Sequence, residues 1–329
     1  MKKLNISVIG AGRISQLAYL DNLIDDKRIK NISLCDKNKI LLKKVSIKYK
    51  IKKIYFKISD ILKNEDPDIV VLVVNRLFNH ILLEKIIKHK KNFIVFCEKP
   101  FAPNFKTGSR LVNLAKKNKK KLLIGYMKRF DPSIRYIKRK KIENIKLINY
   151  LSYDGNSYEK SSKYIKYKFT NKIKDTLKKK YLNTQSHSIN LIQYLFGHLK
   201  LNYKLLNKNG EGIALFENKE KIKFILENKF NKNELWKEEI KIFTDNLIFN
   251  IELPAPFFKK KIGKISILNL SNKKKKKILV RGKWSFKNQL GELIRYSSKS
   301  SNRKKAISTE LCTAQQCLNE TKIVDKIFI

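Results

Sequence analysis

The hydrophobic pattern of the chain changes character once. From Leu4 to Gly125, short apolar runs alternate with stretches in which apolar residues recur at helical spacing. Leu4–Ile9 reads as a buried strand running into Gly10-Ala11-Gly12, and Ile14–Ile24 as an amphipathic helix. Ile32–Leu34 is a second strand ending at Cys35-Asp36, followed by a lysine-rich helix at Ile40–Tyr49. Ile54–Phe56 is a short strand and Ser59–Lys63 a helical turn. Asp68–Val74 is the most strand-like run, then come a helix at Phe78–His89 and a strand at Phe93–Cys97. A helix at Gly108–Lys117 and a strand at Lys121–Gly125 complete the series. Alternation at this spacing predicts a doubly wound parallel sheet, an α/β fold.

Beyond Gly125 helical patterns thin out, apart from Thr184–Phe196 and the end of the chain. Ile145–Leu151, Gly212–Phe216, Lys221–Leu226, Glu238–Phe243 and Leu247–Ile251 read as strands with no helices between most of them. Close-spaced strands of this kind predict an α+β unit built on a large, mainly antiparallel sheet. The boundary is placed at 121/122, giving domains of residues 1–121 and 122–329. No internal repeat is visible.

Length and composition agree with two packed domains. The chain has 329 residues, 42% of them hydrophobic, which excludes a disordered polycation. The longest apolar run, Ile69–Val74, stops at Asn75, so no membrane partner is expected. Asn5, Ser7 and Gly10 interrupt the stretch after Lys2-Lys3, against a leader peptide, and a cytoplasmic protein is expected. The four cysteines form no C-x-x-C and stand far from the four histidines, so free thiols and no metal site are expected.

Lysine and arginine total 75 against 28 acidic residues, a formal charge of +47. Only ten of the cations are arginine, and basic runs such as Lys138–Lys141 and Lys273–Lys277 are scattered along the chain. That distribution favours a solvated lysine surface over a selected polyanion-binding one, and no specific nucleic-acid partner is expected. Either surface would attract an anionic small molecule.

Gly10-x-Gly12-x-x-Ser15 is a near match to G-x-G-x-x-G/A. The first glycine permits a tight turn, and the second lets backbone N–H groups approach a pyrophosphate. A small third residue allows helix and strand to pack closely. The positive end of the Ile14–Ile24 helix would face the phosphates, and Arg13 and Ile14 join the glycines as cofactor-contact candidates. Asp36 lies 24 residues past Gly12, near the position of a carboxylate that bonds the ribose 2′-hydroxyl and repels a 2′-phosphate. NAD is therefore expected rather than NADP, although Lys37 next door works the other way. Asp36 also suits a helix N-cap.

Cys97-Glu98-Lys99-Pro100, followed by Gly125-Tyr126-Met127-Lys128-Arg129-Phe130-Asp131-Pro132, makes the chain resemble the Gfo/Idh/MocA family. These are glucose–fructose oxidoreductase and inositol-dehydrogenase-like enzymes. The family pattern is an N-terminal Rossmann domain, an E-K-P at a strand end, a G-Y-x-x-R-F-x-P and a later histidine helix, in the order and spacing met here. Asn75 and His80 fall where the family has its strand-end cofactor loop and a histidine, which with Glu98 adds them to the cofactor-contact candidates.

The resemblance implies that Lys99 lies beside nicotinamide and substrate, where an ammonium can stabilise developing alkoxide charge. His187 matches the histidine of the family's D-x-G-x-H-x-x-D helix and is implied to be the general acid/base. Asn183, His187 and Asn190 share one helical face, but both asparagines replace aspartates, and an amide positions a hydroxyl without carrying a proton. Tyr126, Arg129 and the Tyr153–Tyr158 loop are the further candidates for substrate contact, with domain-interface packing as the alternative.

The expectation is an NAD(P)-dependent oxidoreductase acting on a sugar, sugar-nucleotide or cyclitol hydroxyl. The rival is a non-catalytic dinucleotide-binding sensor of the same fold, suggested by the two asparagines. The resemblance also implies a homo-oligomer paired through the open face of the second sheet.

Overall fold

The computed structural model describes residues 2–156, 163–166, 176–298 and 310–328. The first six apolar runs form parallel strands: β1 (Leu4–Ile9), β2 (Ile29–Cys35), β3 (Lys53–Tyr55), β4 (Ile69–Leu72), β5 (Ile94–Glu98) and β6 (Leu122–Gly125). Their spatial order is 3-2-1-4-5-6. β4 and β5 are buried at every position because helices cover both faces, which explains the unbroken apolar runs Ile69–Leu72 and Ile94–Cys97. A two-residue strand, Cys312–Thr313, adds antiparallel to the outer edge of β6.

Between these strands lie α1 (Asp21–Leu23), α2 (Lys39–Lys48), α3 (Ile58–Asn64), α4 (Asn79–Ile87) and α5 (Phe105–Lys117). Asn38 and Asn104 cap α2 and α5 by accepting the N–H of Leu41 and Thr107, each at 2.8 Å. The helix after the glycine turn departs from the expected α-periodicity. Ser15–Leu20 is a π-helical turn, and all six of its residues are buried. The wider turn directs consecutive side chains inward, including Tyr19, whose hydroxyl donates to Glu98.

The second sheet has eight strands: β7 (Ile145–Asn156), β8 (Leu199–Leu206), β9 (Gly212–Asn218), β10 (Lys223–Leu235), β11 (Lys237–Thr244), β12 (Leu247–Glu252), β13 (Lys264–Asn269) and β14 (Lys275–Ile278). In space they run 14-13-12-11-7-10-9-8, with only the β7–β10 pair parallel. One face, with Ile148, Phe216, Phe224, Ile240, Ile242 and Phe249, packs into a single core with α6 (Pro132–Lys140) and α7 (Leu177–Phe196). The α+β expectation holds. The sequence misses β8, β13 and β14; β14 is Lys275-Lys276-Lys277-Ile278, an edge strand with no apolar alternation to read. The last helices are α8 (Ser285–Ser298) and α9 (Ala314–Ile327), and the short strand Cys312–Thr313 is β15.

The chain divides into two compact units. Among the described residues, the first comprises 2–126, 163–166, 286–298 and 310–318, and the second 127–156, 176–285 and 319–328. The boundary therefore differs from 121/122: β6 pairs with β5, and α8 returns to the first unit, placing Phe286 6.2 Å from Tyr19 between ring centroids. No described helix is long and apolar enough to cross a membrane.

Candidate active site

In the first unit, strand order reverses between β1 and β4, and ligands bind at the carboxyl ends of strands flanking such a switch point. Gly10 follows β1 with φ of +108°, and a Cβ there would lie 2.1 Å from the Val73 carbonyl oxygen. Only glycine fits. Gly10 N–H donates to Cys35 O at 2.7 Å. A Cβ at Gly12 would meet nothing within 4 Å, so the backbone there is open to close approach by a ligand. The turn thus meets the requirements of a pyrophosphate cradle: one glycine forced by its neighbours, the next uncovered, and a helix N-terminus directly behind.

Asp36, at the end of β2, accepts the N–H of Ala11 through Oδ2 and the N–H of Asn38 through Oδ1, each at 2.8 Å. The carboxylate is partly buried and stands against the turn. Arg13 is exposed, and its guanidinium lies 5.8 Å from the centre of the Tyr164 ring. Ile14 is half-buried at the helix start. Gln16 is fully buried and holds the backbone of Ile165 both ways, accepting its N–H at 2.9 Å and donating to its carbonyl at 3.2 Å.

Asn75 is exposed beyond β4, and its Oδ1 accepts the N–H of Leu77 at 3.1 Å. His80 is half-buried on α4. Burial and the nearby Arg110 hold its imidazole below the ordinary histidine pKa, with Glu84 opposing them. Lys99 follows β5 and is half-buried. Its N–H donates to Glu98 Oε2 at 3.1 Å, while Tyr19 donates to Glu98 Oε1. Burial pushes the Glu98 carboxyl and the Tyr19 hydroxyl above their usual pKa values. Asn79, which sequence reading passed over, donates from Nδ2 to Glu98 O at 3.0 Å and Pro100 O at 2.9 Å. Tyr126, a substrate-contact candidate, is 2% exposed and belongs to the first unit's core.

In the second unit, α7 begins at the Thr176 cap and ends at Gly197, whose φ of +88° favours glycine. Asn183 and His187 are half-buried, and Asn190 is buried, on the face anticipated from their spacing. Arg129 turns inward instead of outward. It is 3% exposed, its Nε donates to Asn190 Oδ1 at 2.8 Å, and its guanidinium lies 4.9 Å from the Tyr194 ring centre. Asn190 Nδ2 in turn donates at 2.6 Å to Glu320 Oε2, a buried carboxylate from α9. Nothing local in the sequence links positions 129, 190 and 320, which only the fold brings together. Beside this network, Lys128 pairs with buried Glu238, which also accepts the Tyr150 hydroxyl. Tyr153 lies in β7 and donates to Glu227 at 2.6 Å, while residues 157 and 158 of the anticipated loop fall outside the described residues.

Cys35 and Cys97 are buried free thiols, and Cys312 and Cys317 stand 3.1 Å apart, Sγ to Sγ.

The first unit's strand order 3-2-1-4-5-6, with a glycine turn after β1, is that of a Rossmann fold. Residues 4–126 match the model of the GFO_IDH_MocA family, an oxidoreductase family with an NAD-binding Rossmann fold. That segment, a little over a third of the chain, carries the similarity to the Gfo/Idh/MocA family. The uncharacterized oxidoreductase YrbE of Bacillus subtilis (strain 168) is 26% identical over 137 residues, 42% of this chain and 39% of that protein. The match thus spans about two fifths of this relative's length.

Among solved structures, the dehydrogenase MviM from Clostridium difficile superposes with a TM-score of 0.78 at 17% identity, covering 99% of each chain. KijD10, a 3-ketoreductase from Actinomadura kijaniata solved with NADP and TDP-benzene, gives 0.75 at 12% identity over 98% of this chain and 96% of that one. These likenesses establish a shared fold across both units.

Proposed function

We propose that the protein is an NAD(P)-dependent oxidoreductase that moves a hydride between nicotinamide and a hydroxyl or carbonyl of a sugar, sugar nucleotide or cyclitol. The observation that carries this reading is the alignment of the Gly10 turn, Asp36, Asn75 and Lys99 along one edge of the parallel sheet, each just past a strand's carboxyl end. Gly10, Gly12, Arg13 and Ile14 would hold the pyrophosphate, Asp36 the adenosine ribose, and Asn75, His80 and Glu98 the remainder of the dinucleotide. The nicotinamide supplies the hydride chemistry when bound.

Lys99 stabilises negative charge developing on the substrate oxygen. His187 accepts the hydroxyl proton in oxidation and returns it in reduction. Asn183 orients a second substrate hydroxyl through its amide. The burial of Tyr126 and Arg129 suits support of the site from within, in place of direct substrate contact. A sugar nucleotide is favoured within the substrate class, because a structural neighbour was solved with a TDP ligand and a lysine-rich surface attracts a diphosphate.

NAD is favoured over NADP by the carboxylate of Asp36, even though that neighbour holds NADP. We also propose a homo-oligomer formed through the second sheet's open face. There Tyr203 and Leu205 are 53% and 61% exposed, opposite the half-buried Leu215 and Ile213.

The deciding experiment follows absorbance at 340 nm (the reduced-nicotinamide band) over a panel of sugars, cyclitols and nucleotide sugars with either cofactor. Cofactor binding without turnover on any member would favour the sensor reading, for which Asn183 and Asn190 are the motive.

A further inference from the structure

We propose that Asn79 is a positioning residue for Lys99, a role that rests on the reading of Lys99 given above. Lys99 leaves β5 at its last paired residue, Glu98, so the carbonyls of Glu98 and Pro100 fall where the sheet no longer supplies donors. Buried carbonyls at such a point require partners. Asn79 satisfies both with one group: its Nδ2 reaches Glu98 O at 3.0 Å and Pro100 O at 2.9 Å, one on each side of Lys99.

The amide is held rigidly. Asn79 is 1% exposed, is the first residue of α4, and its backbone N–H donates to Arg76 O at 3.4 Å. Its Oδ1 is buried without a hydrogen-bond partner, so the side chain keeps its orientation for what Nδ2 does. On the strand side, Glu98 Oε2 takes the Lys99 N–H, and Tyr19 holds the other carboxylate oxygen. Three elements therefore fix the main chain from which a long, rotatable side chain springs. An ammonium on four methylenes reaches a defined point only if its root does not move. Neither leucine nor aspartate of similar size offers the two donors that this place needs.

The test uses the reactivity of Lys99 itself and needs no substrate. The folded protein is labelled with trace acetic anhydride, with and without saturating NADH or NADPH, and acetylation of the Lys99 peptide is read by mass spectrometry. In the wild type, the cofactor is expected to slow Lys99 acetylation severalfold. In Asn79→Leu that protection is expected to disappear while cofactor affinity stays within a few-fold and the labelling of other lysines is unchanged. Equal protection in Asn79→Leu and wild type would overturn the proposal.

Absence of protection in the wild type with either cofactor would instead remove the assignment of Lys99 beside nicotinamide, and this proposal with it. If Asn79→Leu does not fold, Asn79→Ser, which keeps a single donor, is put through the same comparison. When a substrate is in hand, Asn79→Leu should lower turnover by roughly 10–100-fold with little change in KM, the penalty for displacing a reacting group by about 1 Å. In a Lys99→Ala background it should cost nothing more, because the two act through one group.

Discussion

The carboxylate of Asp36 accepts the backbone N–H of Ala11 at 2.8 Å, tying the end of the second strand to the turn that follows the first. On the function proposed above its role is double: it shapes the glycine turn and would set the charge beside a bound adenosine ribose. NADH should therefore bind more tightly than NADPH. Asp36→Ala should cost NADH affinity about 10–100-fold, the worth of a hydrogen bond to a charged group, and narrow the gap between the cofactors. Isothermal titration calorimetry with both cofactors checks this. Equal or reversed affinities in the wild type would contradict it.

Lys99→Ala and His187→Ala should each reduce turnover by about 10²–10⁴-fold, the usual loss for a positioned acid/base or electrostatic group. Cofactor affinity should stay within a few-fold. Asn183→Ala should act chiefly on KM, since an amide orients a hydroxyl but transfers no proton. Steady-state kinetics on the three variants, with a cofactor titration for each, make the comparison. Near-normal turnover in both of the first two variants would remove the proposed chemistry and leave the fold intact.

How much of this was legible from the chain differs between the units. The parallel sheet was, because β4 and β5 are buried on both faces and carry the continuous apolar runs Ile69–Leu72 and Ile94–Cys97. The glycine turn was also legible, since Gly10 is enforced by the Val73 carbonyl. The π-helical turn was not, as six consecutive inward residues follow no helical period. Arg129 reads in sequence as a charge for a ligand, yet its partner is the amide of Asn190, 61 positions away. Glu320 gives no local sign of its role, because its contact is made 130 positions from its own. Asn79 was overlooked beside His80, where a histidine naturally draws attention and a donor to main-chain carbonyls does not.

Asn190 joins the buried guanidinium of Arg129 to the buried carboxylate of Glu320, and this arrangement predicts a charge swap. Asn190→Leu should destabilise the protein by about 2–4 kcal/mol, since two charged groups lose a partner in the interior. Asn190→Asp alone places two carboxylates together, and Glu320→Gln alone leaves the guanidinium without its nearby counter-charge. The double variant N190D/E320Q restores one of each. Its destabilisation should be smaller than the sum of the single effects by at least about 1 kcal/mol in urea unfolding. Strict additivity would mean that the three side chains do not act as a unit.

Glu98 should leave a signature in the pH dependence of stability. Burial raises its pKa above the ordinary value of 4.5, against the downward pull of Tyr19 and Lys99. The folded state thus favours the protonated carboxyl. The resulting stabilisation is complete below about 4.5 and is lost as pH rises through the folded-state value. Glu98→Gln is neutral at every pH, so its stability relative to wild type should improve as pH climbs from about 4 to 8. Paired denaturant titrations across that range measure the difference, and a flat or falling difference would count against a raised pKa.

The open face of the second sheet should hold copies of the chain together. Sedimentation at tens of micromolar, roughly where specific interfaces are populated, should show a species larger than a monomer. Replacing Tyr203 and Leu205 together by lysine should shift it toward the monomer, because both side chains are largely exposed in the single chain.

The return of the chain to its first unit also constrains how the protein is made. The outer edge of β6 is covered by Cys312–Thr313, and the π-helical turn is packed by Phe286, both supplied near the far end of the polypeptide. During synthesis at about 5–20 residues per second, some 190 residues must follow β6 before its covering strand emerges, a wait of roughly 10–40 s. Throughout that interval the nascent first unit presents an unpaired, wholly apolar strand edge at Leu122–Ile124, the kind of surface that chaperones shield. A ribosome stalled anywhere in that span would display a first unit that is folded in outline but not sealed.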